Sequence, residues 1–153
     1  MSIEENLEKQ QIILPEVAAP LGSYRPCVVS GSYIYVSGQL PLKSGELIYK
    51  GAVGNEVSLE EAIESARTCA INLIAVLKSE TGDLESIKRI VKVTGYVASA
   101  ENFYQQADVL NGASNLFFDI FGDKGIHARA AVGVYSLPIN APVEIDLVAE
   151  INS

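Results

Sequence analysis

The nine residues from Val143 to Ile151 alternate without a break. Val143, Ile145, Leu147, Ala149 and Ile151 are apolar, while Glu144, Asp146, Val148 and Glu150 take the positions between. Successive side chains of a strand point to opposite faces, so this pattern specifies a strand with one face buried and the other open. Whatever else the chain builds, it must cover the apolar face of this strand.

Two stretches have the helical period needed for that cover. Ser58-Leu59-Glu60-Glu61 is a capping box, serine first and glutamate three residues on. Behind it Ala62, Ile63, Ala66, Ala70, Leu73, Ile74 and Leu77 recur at spacings of three and four, and Thr81-Gly82-Asp83 closes the helix. Glu101-Asn102 lead into a second helix, with Phe103, Ala107, Leu110, Ala113, Phe117 and Phe121 as its stripe and Gly122 as its stop.

The remaining runs read as strands. Cys27–Val29 and Tyr33–Val36 flank the turn Ser30-Gly31-Ser32, Pro41 stops the second of them, and Leu47–Tyr49 is a short third. Ile90–Val97 is a long strand. Arg129–Leu137 and Val143–Ile151 flank a Pro-containing turn and read as a hairpin folded about residue 140. The expected architecture is α+β: one sheet with two helices packed on one face. Ala130, Val132 and Val134 share one parity, leaving Arg129, Ala131 and Gly133 on the opposite face. A sheet face of small and mixed polar residues suits subunit contact or a ligand, so an oligomer is expected.

At 153 residues the chain is expected to form one domain, residues 20–153, preceded by an arm over residues 1–19 in which Pro15 and Pro20 break regular structure. No window approaches the roughly 18 uninterrupted apolar residues of a membrane span. The acidic, polar N-terminus is the opposite of a secretory or mitochondrial signal, which predicts the cytoplasm. The net charge of −8 and the thin scatter of 11 basic residues oppose attraction to a phosphate backbone, so a nucleic-acid partner is not expected. Cys27 and Cys69 read as reduced core residues. With a single histidine, His127, no zinc-ligand cluster is expected.

Two charges stand out, because Arg129 and Glu144 each open a run otherwise small and apolar. In the expected hairpin seven strand residues separate them, on the order of 20 Å, which no small ligand spans. Either they never meet, or they meet across a subunit interface.

Gly22-Ser23-Tyr24, Tyr35-Val36-Ser37-Gly38-Gln39-Leu40-Pro41, Ala128-Arg129-Ala130-Ala131-Val132, Leu137-Pro138 and Val143-Glu144-Ile145 together resemble the YjgF, or reactive intermediate deaminase (Rid), family, whose relatives include endoribonuclease L-PSP-like and translation-inhibitor-like proteins. The resemblance covers about residues 20–151. It implies a chorismate-mutase-like α+β fold and a homotrimer with ligand sites at the subunit interfaces. It further implies hydrolysis of reactive 2-imino acids to 2-keto acids and ammonia, with neither metal nor organic cofactor. By the same resemblance Arg129 binds the substrate carboxylate and Glu144 is associated with water activation. Tyr24, Ser37, Gly38, Asn111 and the backbone of Ala131 line the cleft, and the trimer makes the site composite. The family's Pro-Ala-Arg is His127-Ala128-Arg129 here, and a cysteine and a glutamate of the family pattern are replaced by Ala131 and Gly133, which marks a divergent subgroup.

Each candidate also has a plainer reading. Arg129 could form an interface salt bridge to Asp146 or Glu150, and Glu144 could be a solvated strand residue. Tyr24 could be a packed aromatic and Asn111 an ordinary polar helix position. Ser37 lacks the partners of a serine nucleophile and is expected only to line the pocket. His127 reads either as a proton carrier beside Arg129 or as a loop residue standing in for a proline. On function, the second reading is a non-catalytic trimer that binds a small carboxylate such as a keto acid. A third, RNA cleavage, is opposed by the charge.

Overall fold

The structure is a computed structural model that describes residues 1–17 and 22–152. Its elements in chain order are α1 (Ile3–Lys9), β1 (Cys27–Ser30), β2 (Tyr33–Gln39), β3 (Leu42–Lys43), β4 (Glu46–Leu47), α2 (Leu59–Thr81), β5 (Ile87–Ala98), α3 (Gln106–Phe121), β6 (Ala128–Val134) and β7 (Val143–Ile151). β1-β2-β7-β5-β6 is the order across the main sheet, and β3 and β4 form a separate two-stranded ribbon.

The connections follow from this order. β2 and β5 are both antiparallel to β7, so they run parallel to each other and α2 crosses between them. α3 crosses from β5 to its parallel neighbour β6. The last strand then fills the gap between β2 and β5. The expected hairpin is therefore wrong: β6 and β7 follow one another in sequence, but β5 lies between them. The eight residues from Tyr135 to Pro142 are long enough to pass over the end of β5. In the centre of the sheet β7 has both of its hydrogen-bonding edges paired, one with β2 and the other with β5.

The alternation of β7 works as expected. Val143, Ile145, Leu147 and Ala149 are buried together with Ile34, Val36, Val93 and Val97 beneath α2 and α3. Ser58 and Glu61 make the reciprocal capping box that starts α2, and Gly82, in the left-handed conformation at φ 74°, ends it. α3 begins at Gln106, later than the sequence suggested. Phe103 lies before the helix and packs on the core, and Ala107 is exposed rather than part of the buried stripe. The ribbon turns through Ser44 and Gly45, both at positive φ, so the third short strand ends at Leu47, not at Tyr49.

The N-terminal arm differs more. Residues 3–9 form a helix, because Ser2 and Glu5 make a second capping box and Ile3 and Leu7 fall on one face. Both apolar residues are buried, and Asn6 Nδ2 donates to the Ile120 carbonyl at the end of α3 (2.9 Å). The arm is thus part of the core. Pro15 lies beyond this helix, and Pro20 lies outside the described residues. Among the described residues no helix is long and apolar enough to cross a membrane.

Candidate functional site

Arg129 is the second residue of β6 and pairs with Val93 of β5, whose side chain is buried under the helices. Directly paired residues share a face, so Arg129, Ala131 and Gly133 lie on the helix side of the sheet. Glu144 pairs with Tyr96 and lies on the open side. This corrects the expectation that Arg129 belongs to the uncovered face. Such a residue can keep a charge there only because β6 is an edge strand, where the helical layer is thin.

The guanidinium is held from α3. Arg129 Nη1 donates to Asn111 Oδ1 (2.8 Å) and to Ser114 Oγ (3.1 Å). Asn111 and Ser114 are three residues apart and so share a helix face. Ser114 Oγ is 2.9 Å from His127 Nε2, and His127 Nδ1 is 2.6 Å from the Gly125 carbonyl. A carbonyl only accepts, so Nδ1 carries the proton, Nε2 accepts from Ser114, and Ser114 in turn accepts from Arg129. Burial lowers the His127 pKa below its ordinary 6.5, and the nearby Arg129 charge acts in the same direction, against the Gly125 bond. His127 sits in the loop just before β6, and its ring packs edge-on against Phe117, with centroids 5.7 Å apart. Ser114, Phe118, Gly125, Ile126, His127 and Arg129 line a shallow cleft of about 240 Å³.

Within one chain neither Asp146 nor Glu150 pairs with Arg129. Asp146 accepts from the Tyr96 hydroxyl (3.0 Å) and Glu150 pairs with Lys88 (3.2 Å). Asn111 is more than a polar helix position, since it binds Arg129 directly. Sequence reasoning missed Ser114, although its spacing from Asn111 was a usable signal.

Tyr24, Ser37, Gly38 and Glu144 belong to a different part of the chain. Between Val36 and Gln39 of β2 the register slips, so Ser37 and Gly38 face the single residue Asp146 of β7. This β-bulge turns the Ser37 hydroxyl to the Arg25 carbonyl, to which it donates at 2.6 Å. It also brings Gly38 under Glu144: a Cβ at Gly38 would lie 3.0 Å from the Glu144 Cδ. Glu144 is half-buried, and burial followed by the charge of Asp146 raises its pKa above 4.5. Tyr24 is exposed and immediately precedes Arg25, whose carbonyl accepts from Ser37.

Arg129 and Glu144 remain apart. Three residues along the strand and two strands across put their backbones about 14 Å apart, on opposite faces of the sheet. The separation expected from a hairpin was larger, but its consequence holds: one chain does not bring the two side chains to one small ligand.

The two family departures have local explanations. Ala131 sits on β6 opposite Gly95 and packs against the core. At Gly133 a Cβ would lie 3.0 Å from Gln106 Nε2 and from Ser99 Oγ, and these two groups bond to each other at 3.2 Å. A neutral amide and hydroxyl thus occupy the space a larger side chain would need. Among the described residues no three His, Cys, Asp or Glu side chains gather as metal ligands.

Comparison with known proteins agrees with this architecture. Residues 4–151 match the family model described as "YjgF/chorismate mutase-like, putative endoribonuclease". Protein TCP17 of Trypanosoma cruzi is 40% identical over 152 residues, covering 99% of this chain and 95% of its own. The crystal structure of Atu1372, a protein of unknown function from Agrobacterium tumefaciens, is 45% identical with a TM-score of 0.91, covering 99% of this chain and 92% of its own. A structure from Shewanella oneidensis MR-1 is 34% identical with a TM-score of 0.96, covering 99% of this chain and 100% of its own. With the family pattern matched almost from end to end and the fold shared, the chain belongs to the YjgF/chorismate mutase-like family.

Proposed function

We propose that the protein hydrolyses reactive 2-imino acids to 2-keto acids and ammonia, at clefts between the subunits of a homotrimer. The observation that carries this reading is the state of Arg129. Both protons on Nη1 are engaged by Asn111 and Ser114, and among the described residues no bond engages Nε or Nη2. The Nε–Nη2 edge of a guanidinium matches a carboxylate with two parallel charge-assisted bonds, so Arg129 is held ready for one.

The carboxylate docks on that edge and fixes the imine carbon at the interface. Glu144 of a neighbouring subunit supplies the base, since its own chain does not bring it to Arg129. Its raised pKa makes it a better proton acceptor than an exposed glutamate. It takes a proton from water as the oxygen bonds to the imine carbon. Glu144 then returns its proton to the carbinolamine nitrogen and takes the hydroxyl proton as the C–N bond breaks, leaving the ketone and ammonia. An iminium carbon is already electrophilic, so positioning and one base suffice. No metal or cofactor is required by this scheme.

The test is ammonia release from enzymatically generated 2-aminoacrylate, wild type against Arg129→Ala. Faster release by the wild type supports the assignment; equal rates remove it. A second reading, a trimer that binds a small carboxylate without turnover, is favoured by the absence of a polar side chain at Ala131 and Gly133. Binding of 2-oxobutyrate with no turnover of any imine would select it. RNA cleavage is disfavoured by the net charge of −8.

A further inference from the structure

The residue before Ala128-Arg129 is the one histidine of the chain, and the proposed chemistry does not use it. We propose that His127 is a positioning residue which, acting through Ser114, sets the pose of the Arg129 guanidinium that receives a small carboxylate. This inference rests on the reading of Arg129 as the anion anchor.

The argument follows the protons. The Gly125 carbonyl fixes the tautomer with the proton on Nδ1, at 2.6 Å. Nε2 is then an acceptor and draws the hydroxyl proton of Ser114 toward itself at 2.9 Å. With its proton engaged, Ser114 presents a lone pair to Arg129 Nη1 at 3.1 Å. The second Nη1 proton goes to Asn111 at 2.8 Å. One edge of the guanidinium is thereby tied down and the other stays free. If His127 carried a second proton, Nε2 would become a donor and the Ser114 proton would be released to turn into the cleft.

Burial and the Arg129 charge oppose a second proton on His127, and the Gly125 carbonyl acts the other way. α3 presents Ser114, Phe117 and Phe118, and the turn Gly122–Gly125 presents the Gly125 carbonyl, with Asp123 and Lys124 as its charged members. β6 presents Arg129, whose charge opposes a second cation. The relay therefore holds at neutral pH and changes on acidification below the ordinary histidine value of 6.5.

The test has two readouts on the full-length protein. The chain has only four arginines, so the Arg129 Nε–H signal can be assigned in ¹H–¹⁵N spectra without ligand. His127→Ala and Ser114→Ala are each expected to move or broaden that signal, and the double variant should do no more than either one. His127→Gln, whose amide can accept from Ser114, should restore it. In calorimetric titration with 2-oxobutyrate, His127→Ala should raise Kd about three- to tenfold, the effect of one oriented hydrogen bond. His127→Gln should bind nearly as the wild type does, without the wild type's change on acidification. An Arg129 signal and a Kd unchanged in His127→Ala would overturn the proposal. If the wild type binds no 2-oxobutyrate while the signal still depends on His127, the positioning role stands and the carboxylate reading falls.

Discussion

Gly112 lies in the middle of α3, where the helix crosses α2. A Cβ built on it would stand 2.2 Å from the Ile63 carbonyl oxygen of α2 and 3.1 Å from Ile63 Cγ2. Two opposing effects can be weighed. In a helix interior alanine is favoured over glycine by about 0.8–1.0 kcal/mol. Against this, the new carbon falls more than about 1 Å short of ordinary contact, and the atom it meets is backbone, which cannot swing aside. Overpacking costs about 1–3 kcal/mol, and a 2.2 Å approach to backbone belongs at the upper end, about 2–3 kcal/mol. Gly112→Ala should therefore lose about 1–2 kcal/mol net, a fall in Tm of roughly 2–8 °C for a chain of this size. Urea denaturation checks this through a lower midpoint at unchanged slope. Asn115→Ala, on the exposed face of the same helix, is the control and should be neutral or slightly stabilising. Since propensity alone makes alanine the more stable choice, the sign decides. A Gly112→Ala protein as stable as the wild type, or more so, would refute the close α2–α3 approach.

Two other perturbations test the local chemistry. The Glu144 pKa is raised in the folded state, so the folded protein holds this proton more tightly than the unfolded chain, and stability from this group is full below the unfolded pKa and lost as pH rises through the folded one. Glu144→Gln should accordingly stabilise at pH 7 and lose that advantage toward pH 4, measured by urea midpoints; an advantage growing on acidification would contradict it. Thiol reactivity is the second. Burial, with Glu80 nearby, raises Cys27 to about 11, and burial pushes the fully enclosed Cys69 well above its usual range. Since the thiolate is the reactive form, a disulfide reagent at pH 8 should modify Cys27 slowly and Cys69 only after unfolding, and rapid native labelling of both thiols would contradict the burial.

Much of the fold can be read along the chain because it rests on local signals. The capping box at Ser58, the stripe of α2, the alternation of β7 and the Gly31 turn each involve residues a few positions apart, and each forms as expected. The same kind of signal is present in Ser2-Ile3-Glu4-Glu5, a short capping box ahead of the prolines that break regular structure. The site is legible only in part. The residue types, a lone arginine and glutamate opening apolar runs, are visible, and the family pattern names Asn111 as a neighbour. Ser114 is visible only as a helix-face neighbour of Asn111, and the bound state of His127 is not visible, because no sequence spacing states which ring nitrogen meets which hydroxyl.

The sequence by itself determined most of the elements and the buried faces of α2 and β7, since periodicity and capping are set by neighbours a few positions apart. Only the tertiary structure decided which strand lies beside which. β6 and β7 are separated by one turn in the chain, yet β5 passes between them, because the edge a strand pairs with is chosen by the packing of the whole sheet. That choice put Arg129 beneath α3 and Glu144 on the open face, so one chain holds the two side chains on opposite sides of the sheet.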